Sequence, residues 1–128
     1  MTTTPVSMAE SKERAADYLG FTASTRVTAG NRSFDIPNPG LLDDDQQDRW
    51  EDLQFELEQY DRDDSGDLIT PYRKDGRLIT PSYNARLGVV LFGEDGYAEF
   101  KAGGGSGSQI ALEWARMNAE FEKRGNRG

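Results

Sequence analysis

Residues 34–60 read FDIPNPGLLDDDQQDRWEDLQFELEQY, and this stretch decides the fold because a Pro-Gly turn leads into a strongly acidic amphipathic helix. The apolar residues of this helix recur at helical spacing and predict one buried stripe, from which Phe55 is excluded. The stripe consists of Leu42, Trp50, Leu53, Leu57 and Tyr60. Between Asp43 and Asp67 the chain has twelve acidic residues and only two arginines. Two interpretations stay open for this acidic side, a partner-binding surface or a well-capped solvated helix.

Composition limits the classes of protein to which the chain can belong. It has 128 residues, a net charge of −8, 35% hydrophobic residues and no cysteine or histidine. We expect one small domain whose lean core is completed either by self-association or by binding a partner, and a homo-oligomer is the expected state. The negative charge argues against a nucleic-acid partner, and the lack of cysteine excludes disulfides and thiolate zinc sites. No apolar run is long enough for a membrane span and no signal peptide is evident, so the expected location is a cytoplasm, with no membrane partner.

The remaining sequence predicts a mainly α fold, with about four to five helices and one or two short β-hairpins. A capping box at Ser7 and Glu10 predicts a first helix that closes at Gly20, after flexible residues 1–6. Apolar residues on both sides of Gly30-Asn31 predict a short hairpin over residues 26–36, which the prolines at positions 37 and 39 end. The next helix is the acidic one, which begins near Asp43.

A short repeat marks a second hairpin. Leu-Ile-Thr-Pro occurs at residues 68–71 and again at 78–81, with Asp75-Gly76 between the copies. This residue pair is typical of a type I′ turn and would place Arg73 opposite Leu78.

Three helices are expected after this hairpin. Ser82 can cap a helix that stops at Gly93, and a shorter helix follows. A last helix capped by Ser108 has the clearest apolar stripe: Ile110, Trp114, Met117 and Phe121. We therefore predict a single domain over residues 7–124, with a Gly/Ser hinge at 103–108 and a flexible end at 125–128.

Three patterns suggest chemical sites, and each has a simpler interpretation. Residues 61–66 (DRDDSG) match the first half of a calcium loop, but Tyr72 stands where a closing glutamate belongs, so an acidic turn is the simpler interpretation. The glycine-rich residues 103–108 precede a helix as a phosphate loop does, but they lack its lysine, which favours a linker. Paired carboxylates could hydrolyse glycosides, but these acids lie on an exposed helix face. We expect no enzyme, cofactor or metal site.

Nine residues are the candidate contacts for a protein partner. Aromatic residues with a polar N–H are favoured at interfaces, although core packing is the simpler interpretation of both tryptophans. The candidates are Asp43, Asp44, Asp45, Asp48, Trp50, Glu51, Trp114, Met117 and Phe121.

Three long segments together carry a family resemblance. They are residues 34–62, residues 71–106 (PYRKDGRLITPSYNARLGVVLFGEDGYAEFKAGGGS) and residues 110–124 (IALEWARMNAEFEKR). In this order they resemble the tail assembly chaperones of siphophages that infect mycobacteria and related actinobacteria. The similarity covers about residues 15–124.

The resemblance implies a function as well as a fold. Such a chaperone is mostly helical, coats the tape measure protein in the host cytoplasm, promotes tail tube polymerisation and is absent from the mature virion. The family makes a short form and a longer form by programmed ribosomal frameshifting, and the longer form is the one expected to contact the tail tube subunit. This chain resembles the short form. From the residues alone, a calcium-responsive binding module and a virion decoration or connector subunit stay open as alternatives.

Overall fold

The first hairpin forms where apolar residues alternate on both sides of Gly30-Asn31. The structure is a computed structural model that describes residues 24–125, with side chains up to Glu120. Strands β1 (Ser24–Ala29) and β2 (Arg32–Pro37) pair antiparallel. Gly30 turns the chain at a φ of +63°, a conformation that glycine adopts without steric cost. The predicted hairpin is confirmed, and it buries Val27, Ala29 and Ile36.

Helix α1 (Asp44–Leu57) starts at a capping box formed by its own sequence. The backbone N–H of Gln46 donates to Oδ1 of Asp43 at 2.8 Å, and the Asp43 N–H donates to Oε1 of Gln46 at 3.0 Å. A 3-10 turn over Pro39–Leu41 precedes the helix, and the fully buried Asn38 accepts the N–H of Gly40. These local bonds make the Pro-Gly turn and the helix start one structural unit.

The second hairpin consists of β3 (Arg73–Lys74) and β4 (Arg77–Leu78). Both turn residues have positive φ, +53° at Asp75 and +80° at Gly76, as a type I′ turn requires. The predicted pairing of Arg73 with Leu78 is confirmed. Asp61 holds the turn from outside, because its two carboxylate oxygens accept the N–H groups of Asp75 at 3.0 Å and Gly76 at 2.8 Å.

Helices α2 (Tyr83–Ala102) and α3 (Gly107–Gly125) complete the described chain. Ser82 caps α2 as predicted, and the helix is broken at Gly93, which has a non-helical φ of +77°. The prediction of Ser108 as the cap of α3 is wrong. The hydroxyl of Ser106 accepts the N–H of Gln109 at 3.3 Å instead, so the helix starts two residues earlier, at Gly107.

The described residues contain three helices and two small antiparallel hairpins, which makes a mixed domain with fewer helices than the four to five predicted. The two helices expected around Gly93 form one kinked helix, which accounts for part of the difference. The predicted helix of residues 7–20, the flexible residues 1–6 and residues 126–128 lie outside the described residues. None of the helices within residues 24–125 has the length and apolarity that a bilayer crossing requires.

The core lies where α2 meets α1, α3 and the first hairpin. Three aromatic rings, those of Phe34, Phe92 and Phe100, pack together with centroids 5.2–5.4 Å apart. The Trp50 ring of α1 packs on the Trp114 ring of α3 at 5.3 Å. The apolar stripe of α3 is therefore a core face as far as its side chains are described, and its last predicted member, Phe121, has a side chain outside that range.

The glycine-rich turn between α2 and α3 is packed tightly against its neighbours. A Cβ atom at Gly103 would lie 2.6 Å from the carbonyl oxygen of Ala29. A Cβ atom at Gly105 would lie 2.3 Å from the Phe100 ring. Residues 103–108, which composition suggests as a hinge, thus form a turn at which only glycine allows this close approach.

Replacing Trp114 tests the core. Trp114→Ala is expected to lower the free energy of unfolding by about 3–5 kcal/mol, because a large side chain that is 7% exposed leaves a cavity. Leu112→Ala on the same helix is the matched control, since Leu112 is 71% exposed and should change stability by only about 0.5 kcal/mol or less. Urea unfolding followed by circular dichroism measures both values. Equal losses in the two variants would contradict the described burial.

Candidate partner-binding surface

The outward side of α1 carries a continuous set of carboxylates, which we call the acidic face. All its members are exposed to solvent, and within the described residues none of them forms an ion pair. The acidic face consists of Asp43, Asp44, Asp45, Asp48, Glu51, Asp52 and Glu58. The five acidic residues predicted as partner contacts all belong to it. Asp43 accepts the N–H of Gln46 and Glu51 accepts a hydrogen bond from Gln47 at 3.2 Å, but no described cationic side chain neutralises any of these acids.

Phe55 lies within the acidic face and is a residue that the sequence analysis missed. Its side chain is 68% exposed. Glu51 and Asp52 lie four and three residues before it and Glu58 lies three residues after it, so helical geometry places these acids next to its ring. An exposed aromatic residue surrounded by charge has the composition of an interface anchor. The sequence did contain a signal for Phe55, because it is an aromatic residue on the polar side of an amphipathic helix.

Polar bonds on the inward side of α1 fix which side faces outward. Gln46 Nε2 donates to the carbonyl of Leu91 at 2.9 Å, and Arg49 Nε donates to the carbonyl of Val90 at 2.9 Å. These carbonyls lie just before the break at Gly93. Near the other end of α1, Glu56 forms an ion pair with the half-buried Arg86. The helix is thus held along its length, which keeps the acidic face and Phe55 in solvent.

The remaining predicted contacts lie elsewhere. Trp50 is half-buried, Trp114 is 7% exposed and Met117 is 0% exposed. The two tryptophan rings pack on each other between α1 and α3, and Met117 belongs to the same core cluster. The side chain of Phe121 lies outside the described range. The structure therefore brings the five acids together on one surface and separates them from Trp114 and Met117.

Two of the three acids of the calcium-loop pattern, Asp61 and Asp63, accept hydrogen bonds from backbone N–H groups. Both oxygens of Asp61 accept from the β3–β4 turn. Oδ1 of Asp63 accepts the N–H groups of Ser65 at 2.9 Å and Asp67 at 3.0 Å. Among the described side chains, no group of three or more Asp, Glu, His or Cys residues is arranged to hold a metal ion. These two carboxylates shape the acidic turn and fasten it to the second hairpin.

The backbone N–H groups of the glycine-rich turn are also engaged in hydrogen bonds within the protein. The N–H groups of Gly103, Gly104 and Gly105 donate to carbonyls at the end of α2, at 2.9–3.1 Å. A phosphate-binding loop requires such groups to point at the ligand. Here they terminate a helix.

Comparison with models of known families, with curated proteins and with solved structures gave no match. The acidic face is therefore interpreted from its own residues and geometry.

Calcium is expected to leave the melting temperature unchanged at 0.1 mM, a concentration roughly tenfold above the weak end of the sensor range of about 10⁻⁷–10⁻⁵ M. A ligand that binds only the native state would raise the melting temperature. Differential scanning fluorimetry with calcium, and with magnesium as the control, measures the effect. A rise that is specific to calcium and lost in Asp63→Asn would contradict this prediction.

Proposed function

We propose that this chain is a tail assembly chaperone of a siphophage. In this proposal it is the short form, made before the frameshift, and it coats the tape measure protein in the host cytoplasm while tail tube subunits polymerise. The tail tube subunit is contacted through the longer form. The chaperone leaves before the virion is complete.

The observation that carries the proposal is the acidic face with Phe55 at its centre. Seven exposed carboxylates without ion pairs in the described residues surround one exposed aromatic side chain. Charges at the edge of an interface speed association and contribute little to holding the complex together. An aromatic anchor supplies the contact. Fast, reversible binding of this kind suits a protein that must coat a partner and then leave it.

The positions of the resembling segments give further support. The Ile-Pro-Asn-Pro segment forms the turn in which Asn38 is buried. Tyr-Arg-Lys-Asp-Gly at residues 72–76 forms the turn held by Asp61. Phe-Lys-Ala-Gly-Gly-Gly-Ser at residues 100–106 forms the tight turn before α3. Because these segments build the junctions of the domain, the resemblance concerns features that specify a fold, and this favours a shared fold over a chance likeness in composition.

Co-expression tests the proposal. The tape measure protein is expected to stay soluble when this chain is present and to aggregate without it, measured as its soluble fraction after lysis. Asp48→Asn, Glu51→Gln and Asp52→Asn combined should reduce that fraction. Asp64→Asn, Asp67→Asn and Asp95→Asn combined make the control, because they remove the same charge from other exposed positions. Equal aggregation with and without this chain would contradict the proposal.

Salt dependence separates steering by charge from simple solubility. The Debye length falls from about 30 Å at 0.01 M salt to about 10 Å at 0.1 M, so association with the tape measure protein should slow across that range. The triple variant of the acidic face should associate more slowly and depend less on salt, because long-range attraction acts mainly on the on-rate. Stopped-flow fluorescence measures the rate. A rate that is independent of salt and unchanged in the variant would show that the acids serve solubility alone.

A further inference from the structure

An open groove runs along the seam between α1 and the first half of α2, and we call it the α1–α2 groove. Arg49 Nε donates to the carbonyl of Val90, and Glu56 pairs with Arg86, so the two helices run antiparallel here. The groove has a volume of about 390 Å³. Its lining residues on α1 span Arg49 to Glu56, which is about two helical turns. This is the length over which a third helix presents side chains at i, i+3, i+4 and i+7.

The floor of the α1–α2 groove is apolar. Leu53 and Val90, each 4% exposed, belong to the core cluster, and the half-buried Val89 packs against that cluster. The exposed Pro81, just before the start of α2, also lines the groove. This floor can accept apolar side chains of a partner.

The two arginines that line the groove are engaged within the protein. Arg49 donates its Nε to a backbone carbonyl of α2. Arg86 pairs with Glu56 and also donates to the carbonyls of Thr80 at 3.3 Å and Pro81 at 2.9 Å. These bonds hold α1 against α2, and they leave Glu56 already neutralised.

The carboxylates on the two rims of the groove have no such cation. Asp52 on α1 and Glu94 on α2 both line the groove and are exposed, and neither forms an ion pair among the described residues. Asp48 and Asp45, also exposed and without an ion pair in that part of the chain, lie one turn and two turns before Asp52 on the same side of α1. The groove thus has an apolar floor between two acidic rims, which is complementary to a cationic amphipathic partner.

We propose that the α1–α2 groove receives an amphipathic helix that has lysine or arginine on both flanks of its apolar stripe. The apolar side chains of that helix rest on Leu53, Val89 and Val90, and its flanking cations meet Asp52 and Glu94. An amphipathic helix in a groove is a common mode of peptide recognition, in which the apolar face supplies the anchors. Charges at the rim speed the encounter and select the partner. The inference rests on the proposed function for the identity of the partner only, since the bound helix is then a segment of the tape measure protein.

Designed peptides test the proposal with the purified full chain. The first peptide is an amphipathic helix with leucines at i, i+3, i+4 and i+7 and lysines on both flanks. The second has glutamate in place of every lysine, and the third has the composition of the first in scrambled order. Fluorescence anisotropy of the labelled peptides should show tight binding of the first peptide alone. Failure of the first peptide to bind, or equal binding of the first and third, would overturn the proposal, because attraction to the net charge requires no groove.

Neutral substitutions at the rims test the charge match. Asp52→Asn combined with Glu94→Gln should weaken binding of the first peptide about fivefold, since exposed ion pairs each contribute modestly. Asp64→Asn combined with Asp67→Asn is the matched control, because it removes the same charge from exposed positions of the acidic turn. The control should change binding by less than about twofold. Equal losses in the two variants would show that the rims are not the site.

Thiol protection locates the bound peptide without relying on charge. The chain has no cysteine, so Val89→Cys places a single thiol in the groove floor, and Leu112→Cys places one on the exposed side of α3. Saturating first peptide should slow alkylation of the thiol at position 89 and leave the rate at position 112 unchanged, with both variants folded by circular dichroism. Equal rates at position 89 with and without the peptide would overturn the assignment.

The designed peptides contain no tape measure sequence, so this test can fail separately from the co-expression test. A chain that keeps the tape measure protein soluble but binds none of the peptides would overturn the groove assignment and leave the proposed function standing. A chain that binds the first peptide in the groove but does not keep the tape measure protein soluble would support the groove as a site for basic helices and contradict the proposed function.

Discussion

The close approach of residues 103–107 to the first hairpin and to both ends of α2 is the constraint on which the rest of the structure depends. A Cβ atom at Gly103 would clash with the carbonyl of Ala29 in the first hairpin, and one at Gly105 would clash with Phe100 of α2. A Cβ atom at Gly107 would lie 2.7 Å from the backbone of Asn84. Because these contacts require the absence of a side chain, they set where α3 leaves α2. The position of α3 in turn places Trp114 against Trp50, which positions α1.

Helix α1 has an inward side that packs on the domain and an outward side that faces solvent. Leu53 and Trp50 pack inward, and Gln46 and Arg49 bond to carbonyls of α2 just before its break. The acids and Phe55 are consequently directed to solvent. The helix dipole favours the aspartates of the first turn wherever they point, so capping alone accounts for only part of this charge. In our proposal the outward side binds the tape measure protein.

Local features of the fold could be predicted from sequence, and contacts between distant residues could not. The helix start near Asp43, the Asp75-Gly76 turn and the break at Gly93 depend on a few adjacent residues, and each is found where it was expected. The glycine-rich turn has the composition of a flexible linker. Only its close contacts with Ala29 and Phe100, which the sequence pattern does not show, identify it as a packed turn. Ser106 and Ser108 are equally good caps in sequence, and contacts of Gly107 decide between them. Asp61 fitted the sequence pattern of a calcium ligand. Its carboxylate in fact binds backbone N–H groups of the second hairpin, which begin fourteen residues further along the chain. Five of the seven acids of the candidate surface were predicted as contacts, but Phe55 was left out because an apolar stripe identifies only the buried side.

The most direct test of the central claim is to recover the tagged chain from infected cells during tail assembly. Mass spectrometry then identifies the proteins bound to it and the proteins present in finished virions. The account predicts that the tape measure protein is the main protein recovered with the chain and that virions lack the chain. A chain that is abundant in virions and recovered without the tape measure protein would contradict the account and would indicate a structural subunit of the particle.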